Sequence, residues 1–459
     1  MNIAHISLAI VAVTPRTSHS QTLAVKVDSV LTSAAANGFS GVIRLQRNGE
    51  TVIEKGYGLA DRAKGIPFRP NTVVQIGSNT KDFTAVAILQ LHERGQLSLS
   101  DPISRFIPDA PADKASITID QLLDHEAGFP LGLGPDTEQR TRTALLDSAM
   151  KFRLLFSPGS RKSYSNTGYS LLAAIIEIVT EKSYDEYVRD NILEPLGLRD
   201  TGYHLPGFAS ERLARGYASG GRDAGNLLER PRLPDGPYWN LRGNGGMLST
   251  LADMHEFYKA LFETDRLLKP ETRNLRFDPR APIALAGSDL VNFFLYERDP
   301  ARATELFIAS TSQDYKAGRV VEELRKLPEL GGGSRRVVHT TGPEGVARRE
   351  GPAPAPAVAS VVKGFVDAVN AGDREVLRRF IAANFATGDG MPTVDERLGR
   401  IDGMHENLGH IEIVRMTASP EGPVEAVVRT EKEGGAMLLV DVERSAPHKI
   451  RRIGIQVGD

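Results

Sequence analysis

A serine and a lysine stand three apart, Ser78 and Lys81, in the stretch QIGSNTKDFTAVAILQL. A hydroxyl beside an amine is the raw material of covalent acyl transfer: the hydroxyl attacks a carbonyl and the amine takes its proton. Lysine does this only when neutral. Its ordinary pKa is about 10.4 and a useful base sits near 7, a gap of about 4 kcal/mol. An exposed lysine cannot close that gap, so Lys81 is expected in a dry cleft beside a second group. Spacing alone decides little. Ser-x-x-Lys recurs at Ser148–Lys151 and Ser360–Lys363, and residues three apart merely share a helix face. Ser78 differs by position. It follows Ile76-Gly77 at a strand-to-helix junction, where its backbone N–H is one of the unpaired donors of a helix start. That is a good place for a developing negative charge, and equally a good place for an ordinary N-cap serine.

A second constellation lies in FSPGSRKSYSNTGYSLL, which offers Tyr164 and Asn166 two apart in a turn before a helix. In an extended or turn segment, residues i and i+2 point the same way. A phenol that can shuttle a proton and an amide that can hold a carbonyl would then face one cleft. Tyr238–Asn240 repeats the spacing, so here too the context must discriminate.

The elements that would position these groups follow from periodicity and breakers. Thr22–Ala35 reads as an amphipathic helix. Two apolar runs then flank Asn48-Gly49, the strongest short hairpin signal, so the sheet starts antiparallel. The helix after Ser78 should close near Gly95. From about Asp101 to Leu198 the patterns are mostly helical. NGGMLSTLADMHEFYKALF reads as a helix entered through a glycine-rich loop. Strand-like runs follow at NFFLYER and ELFIAST, then a helix over about Ala317–Lys326. The expected fold is α/β (α+β): an antiparallel sheet flanked by helices plus a mostly helical subdomain.

Residues 331–357, rich in Gly, Pro and Arg, read as a linker with a Pro-Ala spacer. Residues 358–459 read as a separate small α+β domain: two helices broken at Asn370–Asp373, then three or four strands. Residues 22–330 form the first domain. Residues 1–21 read as a signal or a disordered segment, with an apolar run from Ile6 to Val13 but no basic start.

With 41% hydrophobic and 25% charged residues the composition is that of an ordinary globular chain. A net charge of −2 gives no electrostatic footprint for nucleic acid or anionic membrane. The absence of cysteine removes disulfides, thiolate catalysis and Cys-ligated zinc. No apolar run reaches the ~18 residues of a spanning helix. No cofactor or metal is expected; His405 and His410 stand without a ligand cluster.

In this order and setting the two constellations resemble the serine β-lactamase and penicillin-binding-protein family. The resemblance is strongest to its class C-like branch of esterases, D-amino peptidases and related serine hydrolases. It runs over about Gly38 to Lys326 and includes IGSNTKDFTAVAILQLHERGQLSLSDPISRFIP, ITIDQLLDHEAGFP, the SYSN segment with the helix after it, and GNGGMLSTLADMHEFYKAL. Ser-x-x-Lys is among the marks of this family. The resemblance implies Ser78 as the acylated nucleophile, Lys81 as its activator, Tyr164 as proton relay to the leaving group and Asn166 as a substrate contact. It also implies an oxyanion donor from the Ser78 N–H, substrate contacts at Gly287 and Ser288, and a small or peptide-like ester or amide as substrate. The location it implies is periplasmic or secreted, with the cytoplasm as the alternative.

The departure is the third motif. The family usually carries Lys-Thr-Gly or His-x-Gly on a strand lining the cleft, just before the NFFLYER run. Here Leu285-Ala286-Gly287 occupies that place, and a Tyr/Gly-rich strand before it is not evident. Lys316-Ala317-Gly318 and His339-Thr340-Thr341-Gly342 have the letters but the wrong setting. Losing one preorganised electrostatic contact can cost ~10²–10³ in rate. A neutral ester or amide is therefore expected over a penicillin or a D-Ala-D-Ala end. A catalytically impaired pseudoenzyme or binding protein on the same fold is the alternative. The C-terminal segment resembles the cone-shaped domains of the nuclear-transport-factor and ketosteroid-isomerase type. Such cones hold ligands or dimerise, which makes this segment the candidate surface for a homodimer.

Overall fold

The structure is a computed structural model. It describes residues 19–204, 212–288, 291–312, 317–330, 353–388, 391–401, 403–418, 424–431, 434–443 and 445–457. Most of the linker reading, and the stretch 1–18, lie outside the described residues.

The Asn48-Gly49 signal becomes a two-residue hairpin. Both residues take positive φ (53° and 76°), as the primed turn between right-twisted strands requires. The turn joins the strands Gly41–Arg47 and Glu50–Tyr57, whose closing pair is Arg47 with Glu50. The first strand also pairs antiparallel with the late strand Thr304–Ser310, Gly41 opposite Ser310. Beyond it come Phe293–Asp299 and then Ile283–Ser288. The result is a five-stranded, fully antiparallel sheet that joins both ends of the segment.

Alternation along these strands makes two cores. Ile43, Leu45, Leu295, Leu306 and Ile308 face Leu23, Val27 and Leu31 of the helix His19–Ala36, and Val320, Val321 and Leu324 of the helix Ala317–Arg325. Val42, Leu285, Phe294, Tyr296, Phe307 and Ala309 face the opposite way, into the larger core. That core holds three helices that matter for the site: Thr80–Glu93, Asn166–Thr180 and Leu251–Glu263. In the first, every residue from Thr80 to Leu91 is buried. A helix enclosed on all sides is a core element rather than a surface one. Tyr258 stacks on Tyr296 with ring centroids 4.0 Å apart, and Phe83 on Phe257 at 4.0 Å. These two stacks tie sheet, last helix and central helix together.

One strand was not foreseen and two element bounds shift. The Leu285-Ala286-Gly287 segment itself lies in a strand, Ile283–Ser288, and the described residues between Leu268 and that strand form no other strand. It was hidden because small residues and one glycine replace the β-branched pattern that marks a strand. The first helix starts at His19, three residues before Thr22, and the first helix after the linker starts at Pro356, so the linker's last two residues are helical.

From Pro356 the chain builds the helices Pro356–Asn370 and Arg374–Asn384, split at the expected break. Two short helices that sequence reading did not foresee follow, Val394–Ile401 and Met404–Leu408. Four antiparallel strands then pair in chain order: Ile411–Ala418, Val424–Thr430, Gly434–Val442 and Ile450–Val457. Among the described residues, the core of this part is built from its own side chains, including Phe365, Ile381, Phe385, Leu398, Ala426, Leu438 and Ile450.

Candidate active site

Ser78 sits in a single 3-10 turn, Gly77–Asn79, wedged between the strand Val74–Gln75 and the central helix. The turn exists because Gly77 takes φ 51° and because nothing larger fits. A Cβ on Gly77 would lie 2.8 Å from the Gly287 carbonyl carbon and from the Ser288 nitrogen. The reverse also holds: a Cβ on Gly287 would lie 2.2 Å from Ile76 O, 2.5 Å from Ser78 N and 2.6 Å from Asn79 Oδ1. Two glycines thus let the Ile283–Ser288 strand touch the nucleophile turn backbone to backbone. Gly287 and Ser288 are brought beside Ser78 as expected.

Two other side chains converge on the Ser78 hydroxyl. The Tyr164 phenol oxygen is 2.7 Å from Ser78 Oγ, and Lys81 Nζ donates to the same oxygen at 3.1 Å. Lys81 Nζ also donates to the Asn244 carbonyl at 2.6 Å. It lies over the Tyr164 ring at 4.8 Å and the Tyr169 ring at 5.7 Å. The amine has no solvent exposure. Burial pushes its pKa well below the ordinary lysine value, while the carboxylates of Asp136 and Asp82 pull it part of the way back. Those are the dry surroundings the chemistry asked for. Asp82, the next residue, is equally buried; burial raises its pKa to about 7, against the lowering effects of Tyr258 and Lys81.

A second chain of hydrogen bonds lies behind the nucleophile. Asn79 Nδ2 donates to Tyr258 Oη at 2.7 Å and to the Leu285 carbonyl at 3.2 Å, and the Tyr258 hydroxyl donates to Asp82 Oδ2 at 2.7 Å. Leu285 itself is fully buried in the larger core. Leu285 therefore presents its apolar side chain to the protein interior.

Asn166 opens its helix, capped by Ser165, whose Oγ accepts from Gly168 N at 3.0 Å. Its backbone N–H donates to Leu131 O at 2.8 Å. Its side-chain oxygen is buried and has no hydrogen-bond partner among the described residues. Asn166 is thus near the constellation in sequence but makes no bond to it.

The look-alikes separate cleanly. Ser148 and Lys151 lie on the helix Arg142–Lys151, where Ser148 Oγ donates back to Ala144 O. Ser360 and Lys363 lie on the helix Pro356–Asn370. Asn240 is used in anchoring a loop through Pro135 O and Glu138. Ala317 and Gly318 open a helix, while Lys316 and residues 339–342 lie outside the described residues. His405 and His410 join no metal-binding group among the described residues. No helix among them is long and apolar enough to cross a membrane. Sequence reading missed Asn79, Asn244, Tyr258 and His125. Only Asn244 carried a signal, its place in the glycine-rich GNGGM loop; the others arrive by tertiary approach.

Comparison with known proteins places this geometry. The family profile described as Beta-lactamase matches residues 27–291, more than half of the chain. The PbpX protein of Bacillus subtilis (strain 168) is 34% identical over 226 residues, which are 49% of this chain and 56% of that protein. Protein flp of Staphylococcus aureus (strain MW2) is 34% identical over 183 residues, 38% of this chain and 37% of its own length. The chain thus spans about half or less of the length of these curated relatives. Among solved structures, FmtA from Staphylococcus aureus superposes with a TM-score of 0.59 at 24% identity, over 70% of this chain and 90% of that one. The D-amino acid amidase from Ochrobactrum anthropi SV3 complexed with L-phenylalanine superposes with a TM-score of 0.55 at 25% identity, over 66% and 98%.

Proposed function

The chain belongs to the Beta-lactamase family of serine hydrolases, and from that premise we propose that it hydrolyses a neutral ester or amide through an acyl-enzyme on Ser78. The observation that carries this reading is the hydroxyl of Ser78 held between the Tyr164 phenol at 2.7 Å and the buried amine of Lys81 at 3.1 Å.

The chemistry runs in two halves. Ser78 Oγ attacks the carbonyl carbon, and its proton passes to neutral Lys81. The oxyanion forms against the Ser78 N–H, at the mouth of the central helix where the backbone dipoles favour it. The carbon–heteroatom bond then breaks, the leaving group takes a proton through Tyr164, and the acyl group stays on Ser78. Water attacks the ester in the second half, with the same groups handling the proton in reverse. Asn166, two residues after Tyr164, is the proposed substrate contact.

Two observations favour an uncharged substrate. The third-motif position that supplies a cation in the family is the buried Leu285. Beside the Ser78 turn the Ile283–Ser288 strand brings the backbone of Gly287 rather than a charged side chain. The similarity to an amidase supports an amide as readily as an ester.

The test is labelling of the pure protein with a fluorophosphonate and with a fluorescent penicillin, beside hydrolysis of nitrophenyl acetate and butyrate. Wild type should label with the fluorophosphonate and turn over the esters, poorly accept the penicillin, and lose ester turnover by at least ~10³-fold in Ser78→Ala. Absence of label on wild type, or equal label on Ser78→Ala, leaves the pseudoenzyme as the better reading.

A further inference from the structure

Tyr164 reaches the Ser78 hydroxyl from a loop, and a phenol on a loop needs something to aim it. The segment that does so is His125–Leu131, which runs alongside Ser163–Thr167. His125 contacts it at three points. Its carbonyl accepts from Ser163 N at 2.9 Å. Its imidazole Nδ1 accepts from Ser165 N at 3.1 Å. Its ring lies against the Tyr164 ring, centroids 4.6 Å apart and tilted by 44°. The two backbone bonds fall on the residues immediately before and after Tyr164. Farther along, Ser165 Oγ donates to Pro130 O at 2.7 Å and Asn166 N to Leu131 O at 2.8 Å, so the register between the two segments is fixed.

One residue can supply a carbonyl and a side-chain acceptor to the same strand of chain only if its backbone turns back on itself. His125 does so, with φ 59°, in the left-handed region that few non-glycine residues adopt. It follows the short helix Ile119–Leu123, and its own N–H returns to Leu122 O at 3.3 Å. Strain of this kind persists where the surroundings over-determine it, and it concentrates at functional sites. The side chain is 9% exposed, and its far face meets the Tyr169 ring at 5.1 Å. The ring therefore cannot swing away without losing both aromatic contacts and the Ser165 N–H.

We propose that His125 is the positioning residue for Tyr164, clamping the backbone on both sides of it and packing on its ring so that the phenol is held within hydrogen-bond reach of Ser78. The consequence for the Ser78 reaction rests on the hydrolase reading above; the clamp itself does not. Because Nδ1 accepts a backbone N–H, the imidazole proton belongs on Nε2.

Three measurements on the full chain test this. The first is nitrogen-15 NMR of the imidazoles near neutral pH, assigned by loss of the signal in His125→Phe. His125 should show the Nε2–H tautomer; a proton on Nδ1 overturns the clamp whatever the activity. The second is the rate of fluorophosphonate labelling at Ser78. His125→Phe should slow it about 10–100-fold, the cost of a misplaced reacting group, with kcat/KM for nitrophenyl butyrate falling by the same factor. His125→Asn, whose amide can stand near the Nδ1 position and tolerates positive φ, should recover most of the loss. The third is the same substitution in a Tyr164→Phe background. If His125 acts through Tyr164, the further loss there is less than about threefold. An equal loss in both backgrounds shows general structural damage and overturns the proposal. No labelling of wild type would instead strike the hydrolase reading, with the tautomer still deciding the clamp.

Discussion

Lys81 and Asp82 are adjacent, fully buried and titratable, and the fold pays for both. Burial depresses Lys81 and raises Asp82 to about 7, so each is pushed toward its neutral form. The signs for stability follow from proton counting. For Lys81 the unfolded chain binds a proton below the ordinary lysine pKa and the folded chain does not. Its share of stability is therefore present at high pH and is lost as pH falls toward the depressed value. For Asp82 the folded chain keeps a proton the unfolded one has lost. Its share is present below about pH 4 and is lost as pH rises through about 7. Lys81→Met should then abolish ester turnover while raising stability at pH 7 by on the order of 1–2 kcal/mol, the trade expected of a strained catalytic group; urea unfolding of the two proteins checks it. Asp82→Asn keeps an acceptor for Tyr258 and removes one of the two carboxylates, the lesser beside Asp136, that favour the proton on Lys81. Its expected signature is an acid limb of the labelling rate displaced to lower pH, read from labelling profiles between pH 5 and 9. A limb that stays in place would show that Asp82 does not govern the Lys81 proton.

Between elements, the decisive contact is the Ile283–Ser288 strand against the Gly77–Asn79 turn. Gly287→Ala puts a methyl within 2.2 Å of Ile76 O and 2.5 Å of Ser78 N, so strand or turn must move. Overpacking of this kind costs about 1–3 kcal/mol, and a shift of the oxyanion edge costs ~10²–10³ in rate. Gly287→Ala should therefore lose far more turnover than stability, measured by nitrophenyl ester kinetics beside thermal unfolding. Full turnover in that variant would remove Gly287 from the site. The same contact shows what could be read in advance. The segment Leu285–Gly287 was singled out because it precedes the NFFLYER strand. The strand carrying it was not, since its alanines and glycine answer to a neighbouring backbone rather than to a β-pattern. Ser78 and Tyr164 stood out by their helix-start settings, a local signal. Asn244 O, Tyr258 and His125 reach the site only because distant segments fold onto it: Asn244 is 163 residues from Lys81, and Tyr258 is 176 from Asp82. Spacing in a single sequence has no means of announcing such pairs.

At the scale of the chain, the buried apolar residues of the site-bearing part run from Leu23 to Leu324, and those of the C-terminal part from Val362 to Ile450, with no cluster among the described residues drawing on both. Each part therefore carries the means of its own cooperative transition. We propose that the C-terminal part is a cone-type domain that serves binding or pairing, not the chemistry. Tyr164, Lys81 and Asn244, which meet on or beside the Ser78 hydroxyl, all lie before Leu330. Calorimetry of the full chain should resolve two transitions, and acylation of Ser78 should displace only one, because a ligand shifts the transition of the part it holds. A chain ending at Leu330 should label at the full-length rate within about twofold, the scatter expected of independent parts. Truncation at the same place also reads the assembly: a full-length dimer that becomes monomeric assigns the contact to the C-terminal sheet and helices. A single merged transition, or a truncated chain that folds yet fails to label, would mean instead that the cone completes the site.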